Sequence, residues 1–186
     1  MFRGYGKIFR GLIFSTFHIN YGPIHILPAF VGWLIIASGA KALEEEKENF
    51  SFKKAHYVAL IEALLTFFIY FGSLRELNYN VQNYLSILFN IVLFLFAYYL
   101  LEGSIECLNT YGRIEIAAYY ERVLTSYMTI FIVNTVMLCI FYSTENQALK
   151  IITVVLGFFL ILWLMLITSR FRKIEEETEI WSEKSS

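Results

Sequence analysis

The sequence contains no Asp, and only two of its 186 residues are Cys. Without Asp, the Asp-rich loops that hold Mg²⁺ or Ca²⁺ in many proteins are excluded. Cys107 and Cys139 do not form a Cys-x-x-Cys pair, so we expect two reduced thiols. The sequence has no His-Glu-x-x-His motif, Gly-rich phosphate loop or nucleophile elbow, and its net charge is −1. It therefore predicts no metal, no cofactor and no nucleic-acid partner.

Apolar residues, by contrast, are abundant. They make up 58% of the chain, and aromatic residues make up 18%, whereas soluble domains are about 45–50% apolar. They are grouped in runs of about 20 residues, the length of a helix that crosses a bilayer. We predict a single polytopic membrane domain over residues 1–173 and an acidic tail over residues 174–186. The predicted transmembrane helices lie at about residues 54–73, 83–103, 125–143 and 149–168.

The only two prolines of the chain both interrupt the first apolar stretch. Gly22-Pro23 is a turn signal, and Pro28 is tolerated in a helix only at its first turn. The pattern predicts a short helix at about residues 5–17, a bend through residues 20–27 and a second helix from about Pro28. The predicted fold is an all-α membrane protein with four transmembrane helices and an N-terminal, Pro-broken helical hairpin, five to six hydrophobic helices in total. The sequence leaves open whether the hairpin crosses the bilayer or re-enters partway.

The distribution of Lys and Arg favours this hairpin over a single straight crossing. The positive-inside rule places most of these residues on the cytoplasmic side of a membrane. A hairpin collects 13 of the 15 on one side and leaves only Arg75 and Lys150 opposite, whereas a straight crossing gives at best a split of ten to five. We therefore predict that both termini are cytoplasmic.

A polar or glycine residue lies near the centre of each predicted span: Glu62, Asn90, Asn134 and Gly157. At about 1.5 Å rise per residue, each lies within roughly 5 Å of the membrane midplane. This common depth predicts a shared interior cluster, whose alternative role is simply to hold the helices together through hydrogen bonds.

Glu62 is the most informative member of this cluster, because a charge at the centre of a bilayer is costly. No Lys or Arg lies in the interior of a predicted span, so its candidate charged partners are His18 and His25 in the N-terminal hairpin. Otherwise we expect a neutral or proton-exchanging carboxyl, hydrogen-bonded to Asn90, Asn134 or the Pro28 bend. The candidate binding residues are therefore Glu62, Asn90, Asn134, His25 and His18.

Residues 25–33 read His-Ile-Leu-Pro-Ala-Phe-Val-Gly-Trp. This segment resembles the start of a group of small polytopic membrane proteins of Gram-positive bacteria, in which an Ile-Leu-Pro-Asp-Phe-Ile-Gly-Tyr-like motif follows an apolar stretch. His25 and Ala29 stand where that group often has acids. The resemblance implies a bacterial cytoplasmic membrane and no particular activity.

Three functions are compatible with these patterns. The midplane polar cluster favours a binding or transport subunit for a small lipophilic or cationic ligand, because transporter sites lie near the midplane beside broken helices. A ridge of small residues, Ala55, Ala59 and Ala63, and the charged loops favour instead a partner or scaffold subunit, or a homo-oligomer. The third possibility is an enzyme that acts on a lipid-like substrate with Glu62 and a histidine as acid and base. The bilayer is a partner in all three.

Overall fold

A computed structural model of the chain describes residues 3–17, 20–21, 24–25, 28–71, 79–144 and 146–184. The described part of the chain is almost entirely helical. Its six helices are α1 (Arg3–Thr16), α2 (Ala29–Lys47), α3 (Phe50–Phe71), α4 (Tyr79–Thr110), α5 (Ile114–Thr144) and α6 (Gln147–Lys184). Between α1 and α2, the two-residue strands β1 (Asn20–Tyr21) and β2 (Ile24–His25) pair antiparallel.

The predicted N-terminal helical hairpin is present. Pro28 precedes the first residue of α2 with φ −65° and ψ 139°, which is the extended conformation of a residue that begins a helix. Its partner helix α1 packs along α2 through glycines, because a methyl group placed on Gly39 would lie 2.8 Å from the Gly4 carbonyl oxygen. At the other end of α2, Phe30 packs against Phe67 and Phe71 in the last turn of α3. The hairpin therefore extends alongside the whole length of a spanning helix.

The connector between α2 and α3 is a tight corner. The charged run that the sequence places here continues α2 to Lys47, and Glu48 ends the helix in the left-handed region, with φ 49°. Asn49 then caps α3, since its Oδ1 accepts hydrogen bonds from the backbone N–H groups of Ser51 (2.8 Å) and Phe52 (3.4 Å). The corner fixes α3 antiparallel to α2.

The six helices form a closed ring in chain order, because each packs against the next and α1 packs against α6. Tyr5 of α1 reaches across this ring. Its ring stacks on Phe171 of α6 with 5.8 Å between centroids and meets Phe52 of α3 edge-on at 6.3 Å. Its hydroxyl lies 2.7 Å from Ser104 Oγ of α4. The beginning of α1 and the end of α6 therefore lie at the same end of the bundle, as the hairpin requires.

Among the described residues, four helices are long and apolar enough to cross a membrane, and the predicted fold class is confirmed. The helices run further than the predicted spans, because the polar segments that flank the apolar runs continue the helices. The amphipathic segment around residues 102–122, for example, consists of the ends of α4 and α5, joined at Gly112 with φ 71°. The four spans are Phe50–Phe71, Val81–Thr110, Ile114–Thr144 and Gln147–Ile174.

Candidate functional site

The predicted midplane residues do lie at similar depth in the bundle. Phe52 of α3 packs against Gly103 of α4, and the two helices run antiparallel. Glu62, ten residues after Phe52, therefore lies opposite Leu93, which is ten residues before Gly103. Asn90 is then about one helical turn, roughly 5 Å, further along the axis of α4. On the other side of α4, Phe94 contacts Phe131 of α5 with 5.5 Å between ring centroids, which brings Asn134 to the level of Asn90.

A cleft of about 340 Å³ opens at this level between α4, α5 and α6. Its polar lining groups come from Asn90, Asn134 and Thr153, and Gly157 lines it beside Asn134. Its other walls are apolar and come from all three helices. They are Leu93, Phe131, Leu138, Val154, Phe158, Leu160 and Ile161. Three of the four predicted midplane residues therefore share one cleft.

Asn134 is the most deeply buried polar group of this cleft, with 3% of its surface exposed. Its Oδ1 atom is buried and has no hydrogen-bond partner among the described residues. A methyl group placed on Gly157 would lie 3.6 Å from Asn134 Nδ2, so the glycine faces the amide across the helix interface. A buried amide oxygen without a partner costs about 1–3 kcal/mol, which a ligand that donates a hydrogen bond to it recovers.

The other two polar residues of the cleft are already bonded within their own helices. Asn90 is half-buried, and its Nδ2 donates to Ser86 O at 3.3 Å, which leaves the amide oxygen of Asn90 as an acceptor. The Thr153 hydroxyl donates to Leu149 O at 2.8 Å. The cleft therefore offers mainly amide groups, and none of its lining side chains is ionisable.

Glu62 does not line this cleft. It is 4% exposed and lies on the inward face of α3, beside the alanine ridge, where α3 packs against α2 and α4. Its Oε2 atom is buried without a hydrogen-bond partner, so the expected bonds to Asn90, Asn134 or the Pro28 bend are not formed by that oxygen. The lining of the cleft comes only from α4, α5 and α6, so Glu62 of α3 is separate from the group formed by Asn90, Asn134 and Gly157.

The histidines contribute little to the described site. His18 lies outside the described residues, and of His25 only the backbone is described, opposite Asn20 in the short strand pair. His56, which the sequence did not single out, lies within 2.9 Å of the Ala37 carbonyl oxygen through Nδ1 and ties α3 to α2. Within the described ranges, no group of three or more His, Cys or Glu side chains is placed to hold a metal ion.

A second polar cluster, at the end of the bundle where α4 ends, was not predicted. The Ser51 hydroxyl lies 3.0 Å from Glu102 Oε2 and 3.1 Å from Glu106 Oε2. Asn49 Nδ2 donates to Glu106 at 2.9 Å, and the Tyr98 hydroxyl donates to Glu102 at 2.7 Å. Two features of the sequence could have indicated this cluster. Glu102 and Glu106 are four residues apart and so lie on one face of a helix, and Asn49 is a residue type that caps helices. These bonds fix α3 against α4.

No protein-family model, no curated protein and no solved structure matches this chain.

Proposed function

We propose that this multi-pass membrane protein binds a small, neutral, largely apolar molecule in the cleft between α4, α5 and α6, as a binding or transport subunit. The single observation that supports it is the buried amide oxygen of Asn134, which has no hydrogen-bond partner among the described residues, in a cleft of about 340 Å³. Small-molecule sites have this composition, with apolar walls and a few polar groups that orient the ligand. The ligand would donate a hydrogen bond to Asn134 Oδ1, as a hydroxyl or an amide N–H does.

The exposure of the cleft walls supports a lipophilic ligand. Val154 and Phe158 line the cleft, and 64% and 43% of their surfaces are exposed on the outside of the bundle. In a membrane this outer surface faces the acyl chains, so a molecule dissolved in the bilayer could enter without crossing water. A cationic ligand is less well supported, because the only acid at this depth, Glu62, is not part of the lining.

The proposed setting is the cytoplasmic membrane of a bacterium, with both termini in the cytoplasm. Two observations support this orientation. The start of α1 and the end of α6 meet at one end of the bundle through Tyr5 and Phe171. That end also carries 13 of the 15 Lys and Arg residues under the hairpin arrangement, which the positive-inside rule assigns to the cytoplasm.

Native mass spectrometry of the purified protein tests the proposed ligand. The wild-type protein should retain a small molecule that organic solvent extracts, and Asn134→Leu should lose it, because Leu fills space beside Gly157 and removes the acceptor. Thr135→Val is the matched control. Thr135 neighbours Asn134 and does not line the cleft, and among the described residues its hydroxyl donates to Phe131 O of its own helix, at 3.0 Å. Equal retention by both variants would contradict the proposed site.

The scaffold function has less support. It was based on a ridge of small residues that could accept a partner helix, but Ala55, Ala59 and Ala63 are buried inside the bundle. Because α2 and α4 already pack against α3, the ridge offers no free groove. The enzyme function needs a histidine beside Glu62, and the one histidine side chain that the structure describes, His56, is bonded to the backbone of α2.

A further inference from the structure

Arg10 lies on the outer face of α1. It is exposed and shares a stripe at helical spacing with Phe14 and Phe17, which are exposed as well. In a membrane this stripe faces lipid, so the guanidinium has to leave the hydrocarbon region or find a counter-charge there. Arginine side chains achieve this by extending along the helix towards the headgroups, a behaviour called snorkelling.

Gly6 provides the space into which Arg10 extends. A methyl group placed on Gly6, one turn earlier in α1, would lie 3.9 Å from Arg10 Nη2 and 4.0 Å from Arg172 Cδ of α6. The guanidinium of Arg10 therefore points back towards the beginning of α1, and the two arginine side chains converge over one glycine. They come from opposite ends of the chain.

The described residues around these two arginines supply fewer negative charges than the pair has positive charges. Arg10 has no hydrogen bond or ion pair with any residue that the structure describes. Arg172 Nε is buried and has no hydrogen-bond partner, although Glu176 Oε1 lies 3.5 Å away. The neighbouring Lys7 donates instead to Ser38 Oγ of α2, at 3.0 Å. Among the described side chains, the two guanidinium groups and the Glu176 carboxylate alone leave a net charge of about +1, to which Lys7 adds.

The arginine pair lies at the depth of the lipid headgroups. The apolar run of α6 ends where Arg170, Arg172 and Lys173 begin, and the adjacent Phe171 packs on Tyr5 of α1. An anion held here is therefore bordered by water on one side and by the acyl chains beside Phe14 and Phe17 on the other.

We propose that Arg10 and Arg172 bind the phosphate of an anionic phospholipid, in the leaflet at the end of the bundle where both chain termini lie. Guanidinium groups are planar forks that bond phosphate oxygens in pairs, which an ammonium group cannot do. An anionic headgroup neutralises the net positive charge of the pair, whereas a zwitterionic headgroup brings its own cation. The acyl chains lie along Phe14 and Phe17. This site is separate from the α4–α5–α6 cleft and does not depend on it.

The test uses the full-length protein in nanodiscs that contain equal amounts of phosphatidylglycerol and phosphatidylcholine. Native mass spectrometry after release from the nanodisc counts the lipids that stay bound. We expect the wild-type protein to retain phosphatidylglycerol in preference to phosphatidylcholine. Arg10→Gln and Arg172→Gln should each reduce this preference about tenfold, since each removes the charge-assisted hydrogen bonds of one guanidinium to the lipid phosphate.

Lys173→Gln is the matched control, because it removes one positive charge at the same depth from an exposed residue that does not border Gly6. It should keep the preference. If the glutamine variants do not fold, Arg10→Lys and Arg172→Lys retain the charge without the planar fork and should still lose part of the preference. Equal losses in Lys173→Gln and Arg10→Gln would overturn the proposal, because they would indicate only a diffuse charge effect. Thermal stabilisation by inorganic phosphate equal to that by phosphatidylglycerol would also overturn it in favour of a soluble anion.

Discussion

Gly11 of α1 and Gly32 of α2 face each other with almost no space between their backbones. A methyl group placed on Gly11 would lie 2.7 Å from the Gly32 carbonyl oxygen, and one placed on Gly32 would lie 2.9 Å from the Gly11 carbonyl oxygen. Gly4 and Gly39 repeat this contact seven residues away along both helices. Small residues allow this close approach between membrane helices, where dispersion contacts rather than water drive association.

Gly32→Ala should therefore destabilise the N-terminal hairpin. Its methyl group would lie 2.6 Å from Ser15 N and 2.9 Å from Gly11 O, and backbone atoms cannot move aside without separating the helices. Overpacking of this kind costs about 1–3 kcal/mol. The measurement is the free energy of unfolding in detergent. Gly157→Ala is the control, because its new methyl group would meet its nearest neighbour at 3.6 Å, an ordinary contact. Equal stability of the two variants would contradict the tight packing of α1 on α2.

Glu62→Gln tests the state of the buried carboxyl. Since Glu62 Oε2 has no hydrogen-bond partner among the described residues and no Lys or Arg lies near the middle of a span, we expect a neutral carboxylic acid. The wild-type protein should then show an infrared carboxylic-acid band at neutral pH that the substitution removes. Because Gln keeps the size of Glu, the variant should remain folded.

An unchanged infrared spectrum would show that this band does not come from Glu62. Glu62 either packs as a neutral group or exchanges a proton, and ligand retention or activity separates these two roles once a ligand is identified. If Glu62 only packs, Glu62→Gln should retain the ligand like the wild type. If Glu62 exchanges a proton, the variant should fold and lose function. Glu102→Gln is a control for the spectrum, since Glu102 lies in the hydrogen-bonded cluster with Ser51 and Tyr98.

Single-cysteine labelling in a Cys107→Ser, Cys139→Ser background tests the orientation. Cysteines at the exposed positions Glu45 and Tyr111 should react with an impermeant reagent only from the cytoplasmic side, and one at Gln147 only from outside. The reason is the 13-to-2 division of Lys and Arg between the two sides. Labelling of Tyr111→Cys by the impermeant reagent in intact cells would indicate the opposite orientation and contradict the prediction.

The sequence by itself determined the framework of the protein. Apolar runs as long as a bilayer is thick defined the four spans, and Pro28 marked the start of the second hairpin helix; the predicted Gly22-Pro23 turn lies outside the described residues. These features are local, because helix length and proline geometry depend only on neighbouring residues. The depths of Glu62, Asn90 and Asn134 were predictable for the same reason, since depth follows from position along a helix.

Only the tertiary structure decided which of these groups meet. The rotation of each helix about its axis depends on its neighbours, so residues at one depth can face different interiors. Asn90 and Asn134 share a cleft with Gly157, whereas Glu62, at a similar depth, does not line it. The glycine contacts between α1 and α2 depend in the same way on packing between separate helices. So does the meeting of Arg10 and Arg172 over Gly6. The periodicity of a single helix does not encode such contacts.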